Sequence, residues 1–456
     1  MRQNIIKLPS FFKSHFLFRY IVLGLLVRYV IGLFTYWPPD ISVWYKTSLN
    51  ILNGNGIYGR GYFSYPPVWG YCLTFFVFIG SLFVNPYSFG EYLKQQLITS
   101  PKFQFLWKTP ILISELLVGY ILYRIVLDFT KDIRKAQGAF LMWYLNPFVF
   151  FINAVVGQFS SLCLLFLLLS LCFLLEQCFF LAGITLMFGI MTKLFPIYFL
   201  PLELGLIISL SHKQTKLLFF NIFLFFIGLL IAGGVILLPL IINHHFENFY
   251  WCLLGVRQSY TGGIGGFSLY FLRHIPNLEK IVIFLQKYPQ KIIFFQNIAI
   301  LFGLTILFSL IIFSKKKDFI KCFTFGSIFT LILVYLFTPL VQPQYLIWIF
   351  PFLIISILKW DHLLSHWLNI LTYAALLFNL SILGPWKCLL PLAHSLKVLD
   401  AEKIFNITQD YINFPGLFHV LLREDFLMIS STLGVISLCY LLIYSLKQIV
   451  SFTYNK

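Results

Sequence analysis

Charge is scarce in this sequence. Only 11% of its 456 residues are Asp, Glu, Lys or Arg, against roughly a quarter in an ordinary soluble domain. A chain this long with so little charge cannot cover a water-facing surface, which excludes a soluble globular protein. Acidic residues are the scarcer sign, 16 against 33 Lys and Arg. Cysteine is sparse as well: eight residues, no two at CxxC spacing, exclude a disulfide-stapled secreted domain. Polar low-complexity stretches are missing, and 54 Phe, 25 Tyr and 10 Trp are the opposite of a disordered composition. What fills the chain is apolar: 59% hydrophobic residues, with a mean hydropathy of +0.87. The class left is an all-α integral membrane protein.

Crossing the hydrocarbon takes about 20 consecutive apolar residues. Runs of that kind lie near 16–36, 106–127, 137–155, 160–176, 217–241, 292–313, 319–337, 343–358, 366–384 and 426–446. Segment 178–211 carries Lys193 and Pro196 at its middle and reads as two short spans meeting at Lys193. The length rule therefore predicts about 12 transmembrane helices. The run from Phe16 to Trp37 contains Arg19 and Arg28, lacks a small-residue cleavage site, and is expected to be retained as the first span. No linker, soluble domain or repeat divides the chain, so 1–456 is expected to be a single polytopic domain.

The net charge of +17 sits mostly in short clusters between these runs, as orientation signals do. It forms no basic patch with interleaved aromatics, so no nucleic-acid partner is expected. Arg2, Lys7 and Lys13 put the N-terminus in the cytoplasm, and alternation then brings Lys131/Arg134/Lys135, Lys213/Lys216, Lys315 to Lys317, Lys359 and the C-terminal Lys447 and Lys456 to the same side. Counting 68–84 as a full span would reverse every later cluster. It is therefore expected to be a juxtamembrane or re-entrant helix on the outer face, with 85–105 returning along the surface. The alternative, in which 85–105 also crosses, has to bury Glu91, Lys94, Gln95 and Gln96. The outer (extracytoplasmic or lumenal) face then carries the long loops 37–105, 242–291 and 385–425 and is the expected working surface.

One acidic residue stands apart. Asp40 follows Trp37-Pro38-Pro39 immediately after the first span, where the prolines end the helix. It can act as the N-cap of an amphipathic stretch over 41–53, or it can do chemistry at the membrane boundary. Gly54-Asn55-Gly56-Ile57-Tyr58 and Tyr62 to Pro67 follow, with the proline pair starting a helix at 68. Glu115 lies in mid-span, where an ionised carboxylate needs an inward-facing partner or a proton. His244 and His245 are adjacent, a poor geometry for one metal, and no zinc is expected.

The block from Asp40 to Pro67 resembles the first outer loop of the GT-C superfamily of membrane glycosyltransferases, closest to the polyprenol-phosphate-mannose-dependent mannosyltransferases and GPI mannosyltransferase I. Three further segments resemble the same pattern in order: Trp143 to Pro147 followed by Gly157-Gln158, Gly183 to Pro201, and Gln342 to Pro351. Two positions depart from it. Ser42 stands where a second carboxylate is common, and Ser160 stands where an acidic residue usually follows Gly157-Gln158. A divalent metal is thus unsupported by paired carboxylates, and no cofactor is expected.

The resemblance implies a GT-C-like bundle and an inverting transfer of mannose or another sugar from a polyprenyl-phosphate donor to a glycan, lipid or protein acceptor. Asp40 would be the general base. Lys193, Arg257 and Arg60 (with Arg273 a further candidate) would hold the donor phosphate, and Gln158, Gln344, Tyr345 and Tyr65 would contact substrate. Snorkelling to the interface is the plain alternative for Lys193, and an aromatic belt for Tyr345 and Trp348. Two other classes stay open: a transporter or lipid flippase, and a non-catalytic subunit of a glycan assembly complex. Polar features gathered at outer span ends rather than at the midplane favour the enzyme over the transporter.

Overall fold

The structure is a computed structural model and describes residues 15–59, 63–93, 96–211, 215–251, most of 297–308, 319–337, 343–383, parts of 388–397, and 426–454. Proline marks where helices begin. Pro38, Pro67, Pro101 and Pro147 occupy the first turns of α2 (Pro38–Leu52), α3 (Pro67–Ser81), α4 (Pro101–Thr130) and α6 (Pro147–Phe150). At that position the missing N–H costs nothing and the fixed φ favours the helix. The first helix, α1 (His15–Gly32), ends before the Pro38-Pro39 pair is reached. Those prolines open the next helix rather than close the previous one.

Side chains cap three of the starts. Ser100 accepts from Phe103 N at 3.3 Å, Asp132 from Arg134 N at 2.8 Å, and Asn146 from Phe148 N and Val149 N at 2.9 and 3.1 Å. The Asn146-Pro147 pair is thus a cap and a first-turn proline, and it divides α5 (Ile133–Tyr144) from α6. A π-helical turn, Phe151–Val156, continues α6, and the two halves meet at 46°. α7 (Ser160–Leu175) and α8 (Phe179–Ile190) follow. Lys193 lies in the break between α8 and a 3₁₀ turn, Phe195–Phe199, that leads into α9 (Leu200–Ser211). Then come α10 (Thr215–Ile242), α11 (Phe319–Phe337), a 3₁₀ turn Pro343–Trp348, α12 (Phe350–Lys359), α13 (Leu364–Leu383) and α14 (Phe426–Tyr454).

The fold is all-α except for one antiparallel hairpin among the described residues, β1 (Gly90–Leu93) with β2 (Gln96–Thr99), in register Gly90 to Thr99 and Leu93 to Gln96. The expected surface return over 85–105 thus contains a hairpin that the sequence reading did not anticipate. Four described helices are long and apolar enough to cross a membrane, namely 101–130, 215–242, 320–337 and 427–451; the bent pair 133–156 would make five. Of the other runs read as spans, 16–36 and 366–384 form helices of 18 and 20 residues, the rest form shorter apolar helices, and most of 292–313 falls outside the described residues. α3 is one of the short helices, with 15 residues. α10 exposes Phe219, Phe220, Phe223, Leu230, Ile231, Val235 and Leu238, and an exposed face this apolar is consistent with a membrane-spanning helix.

Packing separates two cores. The larger joins α1 with α4 to α14. The second is an aromatic layer of Tyr36, Trp44, Tyr58, Phe63, Trp69, Phe103, Trp107 and Phe159, built mainly by the loop after α1 and set against the ends of α4, α7 and α10. Two internal contacts tie the helices. Arg28 on α1 donates to Glu115 Oε1 on α4 from Nη2 at 2.6 Å and Nε at 3.0 Å, so mid-span Glu115 has its inward-facing partner. Arg28 also donates to the Tyr144 carbonyl and lies 3.9 Å above the Tyr144 ring.

α8 and α10 approach through glycine. A Cβ at Gly183 would stand 2.0 Å from the Phe225 carbonyl oxygen, and one at Gly228 would stand 2.2 Å from that of Phe180. Backbone cannot step aside as a side chain can, so the helices would have to separate. Gly183→Ala and Gly228→Ala are each expected to lose about 1–3 kcal/mol of stability. Gly234→Ala on the same helix, where nothing lies within 4 Å, is expected to lose little. Thermal unfolding of the purified protein in detergent checks all three.

Candidate active site

Asp40 is the third residue of α2, not its cap. The cap position is Trp37, which makes no side-chain capping bond. Of the two readings of Asp40, the cap is excluded: both prolines are inside the helix, which pushes the carboxylate into the first turn. Negative charge is favoured there by the helix N-terminus, but the hydrogen bond goes elsewhere. Asp40 Oδ2 accepts from Gln158 Nε2, a residue 118 positions away. Burial pushes the Asp40 carboxyl up to about 6, against the pull of the Lys193 charge and the Gln158 hydrogen bond.

Gln158 is delivered by the end of the π-turn. Gly157 N and Gln158 N both donate to Ile152 O, at 3.0 and 2.9 Å. Gly157 has φ of +81°, and a Cβ there would stand 2.1 Å from the Trp107 ring. Both the left-handed backbone and the close ring require glycine. Trp107 is itself held by Nε1 donating to Gln104 Oε1 at 3.0 Å.

Lys193 completes the relay. Its Nζ donates to Ser160 Oγ at 2.9 Å and to Gln158 Oε1 at 3.3 Å. The side chain is buried rather than snorkelling to an interface. Its ammonium faces the rings of Phe159, Tyr345 and Trp348 at 4.5, 5.4 and 5.8 Å, an arrangement that stabilises a cation away from water. Among the described residues no carboxylate lies at ion-pair distance from it. Ser160, where the resembled pattern has an acid, therefore serves Lys193 as a neutral acceptor. The Gln158 amide is oriented by its two ends, carbonyl toward the ammonium and NH₂ toward the carboxylate.

Tyr65 packs on Phe159 at 5.0 Å and on Trp44 at 5.5 Å, and Phe159 stacks on Trp69 at 4.7 Å. The aromatic layer thus adjoins the relay through Phe159. Tyr345 and Trp348 stack on each other at 4.7 Å, and Trp348 stacks on Phe195 at 3.5 Å. Gln344 is buried in the same 3₁₀ turn. Arg60, Arg257 and Arg273 lie outside the described residues, as does the glycine-rich stretch 262–266.

The structure thus gathers Asp40, Gln158, Lys193 and Tyr345, with Tyr65 one ring away. Sequence reading gave no role to Phe159, Trp69 or Lys108. For Lys108 a signal existed, a cation embedded in an apolar helix; for the aromatic residues, in a chain so rich in them, none did. Among the described residues no three His, Cys, Asp or Glu side chains come together as a metal site, although His362 and His366 stand four apart in sequence.

Fold and site together describe an apolar helical protein in which a carboxylate, an amide and an ammonium are joined under an aromatic layer. Compared with known protein families and with curated proteins, the chain matches none.

A carboxyl held near 6 has a direct readout. Carbodiimide reacts with protonated carboxyls, so labelling of Asp40, followed by peptide mass spectrometry, is expected to fall with rising pH around a midpoint near 6. Lys193→Met removes a charge that favours the ionised form and is expected to raise that midpoint. Gly157→Ala displaces Gln158 and is expected to raise it as well.

Proposed function

We propose that the chain is a membrane glycosyltransferase that moves a sugar, mannose or a related hexose or pentose, from a polyprenyl-phosphate donor to an acceptor hydroxyl with inversion. The observation that carries this reading is the Asp40 carboxylate, which is released from capping and held instead by Gln158, itself hydrogen-bonded to Lys193. Residues from three segments that resemble a single enzyme pattern are neighbours here: Asp40 from the first, Gln158 from the second, Lys193 from the third. Tyr345, from the fourth, faces the same ammonium.

The chemistry follows from the groups. Asp40, ionised, takes the proton of the acceptor hydroxyl as its oxygen bonds to the anomeric carbon. The bond from that carbon to the phosphate oxygen breaks, and the polyprenyl phosphate leaves with the electron pair. The Lys193 ammonium is positioned to offset the charge that develops on the leaving phosphate. Gln158 holds the carboxylate and the ammonium apart, so that they do not neutralise each other as a direct ion pair. Tyr65 and Tyr345 supply ring faces suited to a sugar. In this reading the chain spans the membrane about 12 times by the length rule, its termini are cytoplasmic, and the site opens on the outer face.

The test is transfer of radiolabelled sugar from polyprenyl-phosphate mannose, glucose and arabinose by membranes carrying the protein. Asp40→Asn, which keeps the shape and removes the base, is expected to reduce transfer by about 10²-fold or more at equal protein level. Because the base must be ionised, the wild-type rate is expected to rise with pH through a midpoint near 6 and then level off. Undiminished transfer by Asp40→Asn would remove Asp40 from the chemistry. Transfer from none of the donors by the wild type would remove the enzyme reading.

A further inference from the structure

Lys108 is a heavily partnered buried cation outside the relay. It lies in α4, is 1% exposed, and donates from Nζ to four backbone carbonyls: Gly32 at 2.9 Å, Thr35 at 2.5 Å, Ala154 at 2.7 Å and Val155 at 3.3 Å. An ammonium has three N–H groups, so one is shared. No carboxylate lies at ion-pair distance from it among the described residues. The ammonium is held by backbone carbonyls, with the Trp107 ring 5.5 Å away.

Those carbonyls belong to two stretches of chain. Gly32 is the last residue of α1, and Thr35 stands five residues before Asp40 (35 to 40). Ala154 and Val155 are in the π-turn, and Val155 stands three residues before Gln158 (155 to 158). A direct bond, Trp37 N to Val156 O at 3.3 Å, joins the same stretches. Each helix end leaves carbonyls without intrahelical partners, and in apolar surroundings these cannot be left bare. Lys108 supplies the partners for both ends at one point.

We propose that Lys108 is the positioning residue of the site: its ammonium clamps the two chain ends so that the Asp40 carboxylate and the Gln158 amide meet. This rests on the reading of Asp40 and Gln158 as catalytic machinery, but the clamp can be tested without any substrate. The titratable groups in electrostatic reach are Lys193 for Asp40 and the Cys388 thiol for Lys108.

The experiment measures the carbodiimide labelling midpoint of Asp40 in the full-length protein, together with sugar transfer, for Lys108→Met, Gln158→Leu and the double variant. Loss of the clamp is expected to raise the midpoint in Lys108→Met by about as much as in Gln158→Leu, with the double variant no higher than Gln158→Leu alone. Transfer by Lys108→Met is expected to fall about 10²-fold, as for a displaced catalytic group. A merely destabilising change such as Gly183→Ala is expected to lower protein yield and leave the midpoint where it is. If Lys108→Met does not accumulate, Lys108→Gln, whose amide can still donate to two carbonyls, is expected to move the midpoint in the same direction. An unmoved midpoint in whichever variant folds overturns the clamp. So does a double variant whose shift is the sum of the two single shifts, which would mean that Lys108 acts on Asp40 by charge alone. A wild type that transfers no sugar while Lys108→Met still moves the midpoint would overturn the enzyme reading and keep the clamp.

Discussion

A chain that breaks its helices among apolar residues must find a partner for every N–H and C=O it frees. Much of the site follows from how this chain meets that constraint. α1 ends at Gly32, the Phe151–Val156 turn ends at Gly157, and α8 ends at Ile190. Each break is closed by specific groups: Lys108 on carbonyls of the first two, Ile152 O accepting from Gly157 and Gln158 at the second, and Val68 N donating to the Met191 carbonyl at the third. The breaks are also where the polar side chains of the relay emerge. Helix ends in such a setting carry both the cost of unpaired backbone and the freedom to aim side chains inward, so they are natural places for chemistry.

The relay itself depends on an uncharged middle. A carboxylate and an ammonium in direct contact neutralise each other. With Gln158 between them, Asp40 receives an amide donor and Lys193 an amide acceptor, and both keep their charge. Ser160 has the same effect on the other side of Lys193, satisfying the ammonium without a second negative charge. The aromatic rings around Lys193 stabilise the cation by their faces. Departures that weaken the likeness to a paired-carboxylate site thus have a physical consequence here, which is to leave one carboxylate and one ammonium without a direct ion pair between them.

Other buried charge has been put to structural use. Arg28 and Glu115 form a hydrogen-bonded pair that also reaches the Tyr144 carbonyl, and so ties α1, α4 and α5. Removing one partner of such a pair is far more damaging than replacing both. Glu203 on α9 is bonded to Ser170 on α7 at 2.8 Å, and the same hydroxyl lies 3.0 Å from the Ala182 carbonyl on α8. A serine has one proton to give, so the Ser170 hydroxyl is shared between the Glu203 carboxyl and the Ala182 carbonyl. These contacts join helices within the bundle and have no contact with the Asp40 relay.

Composition and hydropathy pointed to an apolar helical protein, and the structure has helices long and apolar enough to cross a membrane. Apolar runs located the described helices, and proline with small polar residues located several of their starts, since those effects act within one turn of the chain. The role of Asp40 could not be read that way. Its sequence neighbours fit a cap as well as a base, and only the extra helical residues contributed by Pro38 and Pro39 settle that it is not the cap. The hairpin at 90–99 was likewise illegible, being too short for a periodic pattern to stand out. The union of residues 40, 158, 193 and 345, and the grip of Lys108 on two distant chain ends, belong to the tertiary structure. They are contacts between residues far apart in sequence, and which inward-facing groups meet is decided by how the helices cross and where they break.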